Sequence, residues 1–196
     1  MNRVILSAST DETILAVTRQ HKLVDLEIEQ QINTEIVGCI YKGVVKNIVP
    51  AVDGIFVDIG IGKNAFLRRK DLLNEKRFPT EGSPILAQVI KSDTDMKGAL
   101  ITEKISMFGK YAVTLSGTGY IGVSKKIRQE SVRKRLKEIG KEICAEHMGL
   151  IIRTAAENAD MDEFRKDITR LKENWDIIQK RFRMEKSPTL LYRDCL

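Results

Sequence analysis

The stretch that decides the fold is VGCIYKGVVKNIVP at residues 37–50, followed by GIFVDIG at 54–60 and NAFL at 64–67. Short apolar runs rich in Val and Ile alternate with polar residues and are cut by Pro50, Gly60 and Gly62, the pattern of short strands separated by tight turns. Continuing to residue 105, the same reading gives five strands, at 37–49, 53–59, 64–67, 84–91 and 97–104, with Gly82 and Gly98 as further breaks. Five short strands at this spacing fit an OB-type barrel. Aromatic residues sit on those strands at Tyr41, Phe56 and Phe66, and lysines lie close by at 42, 46, 63 and 97.

Outward from the barrel the pattern changes on both sides. Before it, Val4–Ala8, Ile14–Thr18 and the alternating Val24, Leu26 and Ile28 predict a three-strand meander with Asp11 and Glu12 at the first turn. The polar run 30–35 predicts a linker. After residue 106 the apolar period becomes helical. Val132, Leu136, Ile139 and Ile143 predict a helix over about 129–146, and Met161, Phe164, Ile168, Leu171, Trp175, Ile178 and Phe182 predict a second one. Asp160 with Glu163 forms a capping-box-like start to that second helix, and Pro188 bounds its end. Between the helices, GLIIRT at 149–154 is too short for a helix and is β-branched, so it reads as a strand. The fold class is α+β.

The chain has 196 residues, 42% of them hydrophobic, enough for a substantial core in one or two domains. Its net charge of +6 favours polyanionic partners without choosing among nucleic acid, an anionic membrane face and simple solubility. Cys39, Cys144 and Cys195 are odd in number, widely spaced and without a Cys-x-x-Cys pair, so neither a disulfide framework nor a zinc site is suggested and a reducing cytoplasm fits. No run approaches the ~18 apolar residues of a membrane span, and no export signal follows Met1, so a soluble cytoplasmic protein is expected.

The barrel motifs look like an S1 domain. The Gly54–Gly60 segment, KGALIT at 97–102 and IIRTAAE at 151–157 extend the likeness, and together resemble the ribonuclease E/G family over essentially the whole chain. That resemblance implies the first part of an interrupted RNase H-like subdomain at 1–35, an S1 barrel at 36–105, a 5′-sensor subdomain at 106–186 and the start of the returning RNase H-like segment at 187–196. It implies single-stranded RNA as partner, with Phe56, Phe66 and Lys97 as its contacts on the barrel. Aromatic faces stack unpaired bases at ~1–3 kcal/mol each while cations meet the phosphates. Tyr41 is left aside, because its alternation does not reveal which face is outside.

In the family's sensor an Arg-Thr pair holds an RNA 5′-monophosphate, and Arg153 and Thr154 match that pair. Guanidinium presents a planar fork to phosphate oxygens and a hydroxyl adds another bond. The resemblance also puts Gly109 and Val113 at backbone-contact positions and Lys125 at a basic contact position. Lys125 stands where ribonuclease E-like members have Arg, keeping the charge without the fork. Outside the motif, an ion pair with Glu157 or a helix carboxylate would be the ordinary reading of Arg153.

Family hydrolysis uses magnesium held by aspartates of a later DNase I-like subdomain, together with a Cys-Pro-x-Cys zinc link between subunits; neither falls within these 196 residues. No catalytic residue, metal ligand or cofactor is therefore assigned here, and the chain is expected to bind RNA without cutting it. A homo-oligomer is expected only of the full-length family. Asp93 with Asp95, Asp160 with Asp162, His21 and His147 are read as loop, cap or helix-end residues. The alternatives are a non-catalytic regulator that captures RNA 5′ ends and a plain S1 module of a translation-associated protein.

Overall fold

The computed structural model describes residues 2–8, 12–20, 22–30, 36–94, 97–144 and 148–193; Asp11, His21, Asp95, His147, Cys195 and most of the predicted linker lie outside them. The chain divides into two compact units, Met1–Glu35 and Ile36–Leu196. In the first, β1 (Asn2–Ala8), β2 (Glu12–Arg19) and β3 (Lys22–Gln30) form the antiparallel meander read from the sequence. Val4, Ile5 and Leu6 all remain exposed in it.

In the second unit, β4 (Ile40–Val49), β5 (Gly54–Asp58), β6 (Ala65–Arg68), β7 (Pro84–Lys91) and β8 (Leu100–Thr102) close into a five-stranded barrel. The long strand β4 makes closure possible by pairing with β7 through its first half and with β5 through its second, with a register shift between Val45 and Asn47. Period-two alternation then sorts the side chains. Ile55, Val57, Ala65, Leu67, Ile85, Ala87, Val89 and Ile101 fill the interior, while Phe56, Asp58, Phe66 and Arg68 take the opposite face. Tyr41, undecided from sequence, is buried in this core.

Next come β9 (Ser106–Phe108), β10 (Ala112–Ser116), β11 (Ile121–Val123), helix α1 (Glu130–Ile143), β12 (Met148–Ile152), helix α2 (Met161–Met184) and β13 (Thr189–Tyr192). Strands β11-β12-β10-β9 make a four-stranded sheet. Leu136 and Ile139 of α1 and Phe164, Ile168, Leu171 and Ile178 of α2 bury against Met107, Ile121, Leu150 and Ile152 in a second core. Both helices thus follow the predicted periodicity. Strands β9, β10 and β11 are too short to announce themselves by alternation.

Two features tie the barrel to the second core. Strand β13, from the segment expected to begin a returning subdomain, pairs antiparallel with β4 at Lys42–Ile40. Lys42, expected among the cations available to RNA, is instead buried: its ammonium donates to the carbonyls of Phe182 (2.7 Å) and Glu185 (2.6 Å) at the C-terminal end of α2 and lies 5.0 Å from the Phe182 ring centre. The end of a helix leaves carbonyls without intrahelical partners and carries partial negative charge, so a lysine there is held by the fold. Lys42→Met is expected to lower the unfolding free energy by about 2 kcal/mol, read by urea denaturation, and to leave the salt dependence of RNA binding as in the parent. A reduced salt slope would put Lys42 back among the RNA contacts.

Candidate nucleic-acid interface

On the barrel, Phe56 of β5 and Phe66 of β6 are directly opposed across the strands, with ring centres 5.4 Å apart and planes tilted by 49°. Both are half-buried on the outer face, whereas their neighbours Ile55, Val57, Ala65 and Leu67 are almost fully enclosed. Gly54 shapes this platform: a Cβ there would lie 2.3 Å from the Phe66 ring, so only glycine lets that ring lie down against β5. Asp58, beside the rings, is ion-paired with Lys46 at 3.3 Å. The loop before β8 carries Lys97, exposed in a turn whose backbone is closed by Thr94, and Lys63 donates to the Thr94 carbonyl of the same loop. Because β8 runs parallel to β6 with Leu100 opposite Phe66, this loop lies at the end of the aromatic strand.

The second site forms where the ends of β9 and β12 meet the loop after β11. Strand β12 is followed by Arg153, whose N–H donates to the Tyr111 carbonyl, and Ser124 N–H donates to the Ile152 carbonyl from the other side. The Arg153 guanidinium donates to the Gly109 carbonyl at 2.9 Å. Among the described residues no carboxylate lies within ion-pair distance of it, including Glu157. Thr154 Oγ1 is 3.0 Å from Ser124 Oγ. Ser124 in turn precedes Lys125, which is exposed. Arg133 of α1 holds that loop by donating to the carbonyls of Val123, Ser124 and Ile127.

Gly109 closes the other side. Its N–H donates to the Ala112 carbonyl, so its own backbone donor is engaged in the turn. Val113 stands within the ladder, opposite Phe108 on one side and Ile151 on the other. The turn is held by Asp167 of α2, whose carboxylate accepts the N–H groups of Lys110 (3.2 Å) and Tyr111 (2.8 Å) and pairs with Arg170. A Cβ at Gly109 would come within 2.5 Å of that carboxylate. Gly109 is therefore required for the carboxylate to reach the turn.

Fold and geometry thus bring together Arg153, Thr154, Gly109 and the loop bearing Lys125, and place Val113 on the neighbouring strand. Sequence reading missed Ser124, Arg133 and Asp167. Asp167 left a signal: it lies inside the apolar stripe between Phe164 and Ile168, where an acidic residue needs a buried partner. Asp160 caps α2 as read, accepting from the N–H groups of Asp162 and Glu163. The Glu163 side chain, though, accepts from the Tyr111 hydroxyl and the Lys110 ammonium instead of returning to the cap, and the Tyr111 hydroxyl, with Lys110, holds its carboxyl below the usual range. Burial pushes the Cys144 thiol up to about 11, so it stays protonated at neutral pH and is no nucleophile.

Among the described residues no three His, Cys, Asp or Glu side chains come together. None of the described helices is long and apolar enough to cross a membrane.

The closed five-stranded barrel is an OB-type fold, and residues 34–102 match the S1 RNA binding domain. Residues 106–195 match the Ribonuclease E/G family, and the chain belongs to that family. It is 33% identical over 206 aligned positions to Ribonuclease G of Escherichia coli K12, covering 96% of this chain and 42% of that protein. Ribonuclease G of Haemophilus influenzae is 34% identical, covering 91% of this chain and 40% of its own length. Ribonuclease E of Synechocystis is also 34% identical, with 86% and 26% covered. The chain therefore spans well under half the length of these relatives.

Proposed function

We propose that this chain is the RNA-holding part of a ribonuclease E/G-type endoribonuclease of the cytoplasm, acting in RNA processing and decay. The barrel takes unpaired bases of single-stranded RNA on Phe56 and Phe66, with Lys97 against the backbone, and the second site holds a 5′-monophosphate. What supports the second part best is the state of Arg153: its guanidinium is oriented by a carbonyl and left without a carboxylate, beside a hydroxyl pair at Thr154 and Ser124. A guanidinium held by one N–H keeps its remaining donors for a bidentate anion. Lys125 adds charge at the edge. Gly109 and Val113 would act through the backbone, Gly109 by orienting Arg153 through its carbonyl. Cleavage, in this reading, is supplied by magnesium chemistry outside the described residues.

Binding of a short single-stranded RNA carrying a 5′-monophosphate is compared with that of its 5′-hydroxyl form by fluorescence anisotropy. The parent chain is expected to prefer the phosphate. Arg153→Ala should abolish that preference, costing about 1.5–2.5 kcal/mol, roughly 10- to 70-fold, on the phosphorylated RNA alone. Equal loss on both RNAs would sink the phosphate reading.

A further inference from the structure

Residues 125–142 hold eight Lys and Arg against three Glu, five of the chain's six net positive charges. On α1 the buried residues Leu136, Ile139 and Gly140 define one face. Lys134, Lys137 and Lys141 project on the opposite one, since spacings of three and four residues align side chains along a helix. All three are exposed, and Lys125, Lys126 and Arg128 continue the charge from the helix start back to Ser124. None of these six cations forms an ion pair within 4 Å among the described residues.

Among the described residues the nearby carboxylates do not neutralise them. Glu130 is turned to Arg133 and Glu142 to Arg165, leaving Glu138 as the remaining acid on the face. Elsewhere on the molecule several surface cations are paired, as in Lys46 with Asp58, Lys104 with Glu75, Lys110 with Glu163 and Lys172 with Asp176. A helix face carrying like charges i to i+3 and i+7 repels itself and is suited to a continuous polyanion.

We propose that the outer face of α1, with the 125–128 segment, is a second RNA-binding surface that tracks the sugar-phosphate backbone independently of the 5′ end and of sequence. From Lys134 to Lys141 the stripe runs about 10.5 Å along the helix axis, so successive phosphates of one strand meet successive ammonium groups. With no aromatic side chain on this face, it carries charge without base stacking. It adds affinity and salt sensitivity, while the barrel supplies contacts to bases.

The test uses the whole chain, a single-stranded RNA in 5′-hydroxyl and 5′-monophosphate forms, and titrations over a range of KCl. The triple variant Lys134→Gln, Lys137→Gln, Lys141→Gln is expected to lose about tenfold in affinity near 0.1 M salt and to flatten the log–log salt slope by about 2 on both RNAs, because each contact to single-stranded RNA contributes ~0.7. Arginine at the same three positions should restore the parent slope. A control triple removing the same charge elsewhere, Lys91→Gln, Lys180→Gln and Lys186→Gln, should leave the slope nearly unchanged. Equal flattening in the control, equal loss in the arginine variant, or unchanged RNA binding, as an acidic protein partner would give, would each overturn the proposal. The comparison on 5′-hydroxyl RNA keeps this result separate from that of Arg153→Ala.

Discussion

Replacing both Phe56 and Phe66 by alanine is expected to weaken binding of single-stranded RNA by roughly 30-fold or more, since each stacked base contributes ~1–3 kcal/mol. The rings face each other at 5.4 Å on the outer wall and do not enter the barrel core. Their removal costs the mutual contact, about 1 kcal/mol, and the half-buried surface that the rings lay against the strands, but leaves the interior packing in place, so a folded variant remains to be measured. Phe→Leu at both positions separates the two roles: leucine keeps apolar bulk over Gly54 but offers no π face. Anisotropy titrations should rank parent well above the leucine pair and the leucine pair near the alanine pair. Parent-like binding by the leucine pair would make the rings structural.

Asp167→Ala is expected to act from a greater distance. Its carboxylate satisfies two backbone N–H groups and an arginine in a nearly closed site. Truncation leaves buried donors unpaired, at about 3 kcal/mol of unfolding free energy by urea denaturation. Asn is not a cure, because one amide oxygen cannot replace two carboxylate oxygens and its NH2 faces donors. The turn it frees carries the Gly109 carbonyl that orients Arg153. Asp167→Asn should therefore also reduce preference for 5′-phosphorylated RNA, although residue 167 would touch no RNA. A preference unchanged in this variant would show that Arg153 is oriented without the turn.

The two sites stand in different relations to the rest of the chain. The aromatic platform depends on neighbouring strands of one barrel. The second site draws on β9, β12, the loop after β11 and α2, and its exposed groups rest on more enclosed ones: the buried Asp167 below the turn and the half-buried Arg133 behind the loop. Loss of a supporting group there should spread further than loss of a contact group on the barrel.

Much of this architecture was legible in the chain's local pattern. Period two puts Phe56 on the face opposite Ile55 and Val57, although three apolar residues in a row do not say which face is outer, and the 3-4 rhythm from Met161 to Phe182 defines α2, because both periods arise from backbone geometry over a few residues. The motif at Arg153 and Thr154 was legible only as a resemblance; periodicity has nothing to say about an Arg-Thr dipeptide. Pairings between distant residues were not legible. Lys42 lies 140 residues from the Phe182 carbonyl it binds, and the same lysine on an exposed strand would have been a phosphate contact. Strand β13 finds its edge on β4, and Asp167 finds the turn at Gly109, through chain crossings that no local period encodes. The barrel strands and the two helices thus belong to local sequence physics, and the outward role of Phe56 and Phe66 to the resemblance. Which lysines remain free for RNA, and what holds Arg153 ready, belongs to tertiary packing, because a charge is available only where folding leaves it no other partner.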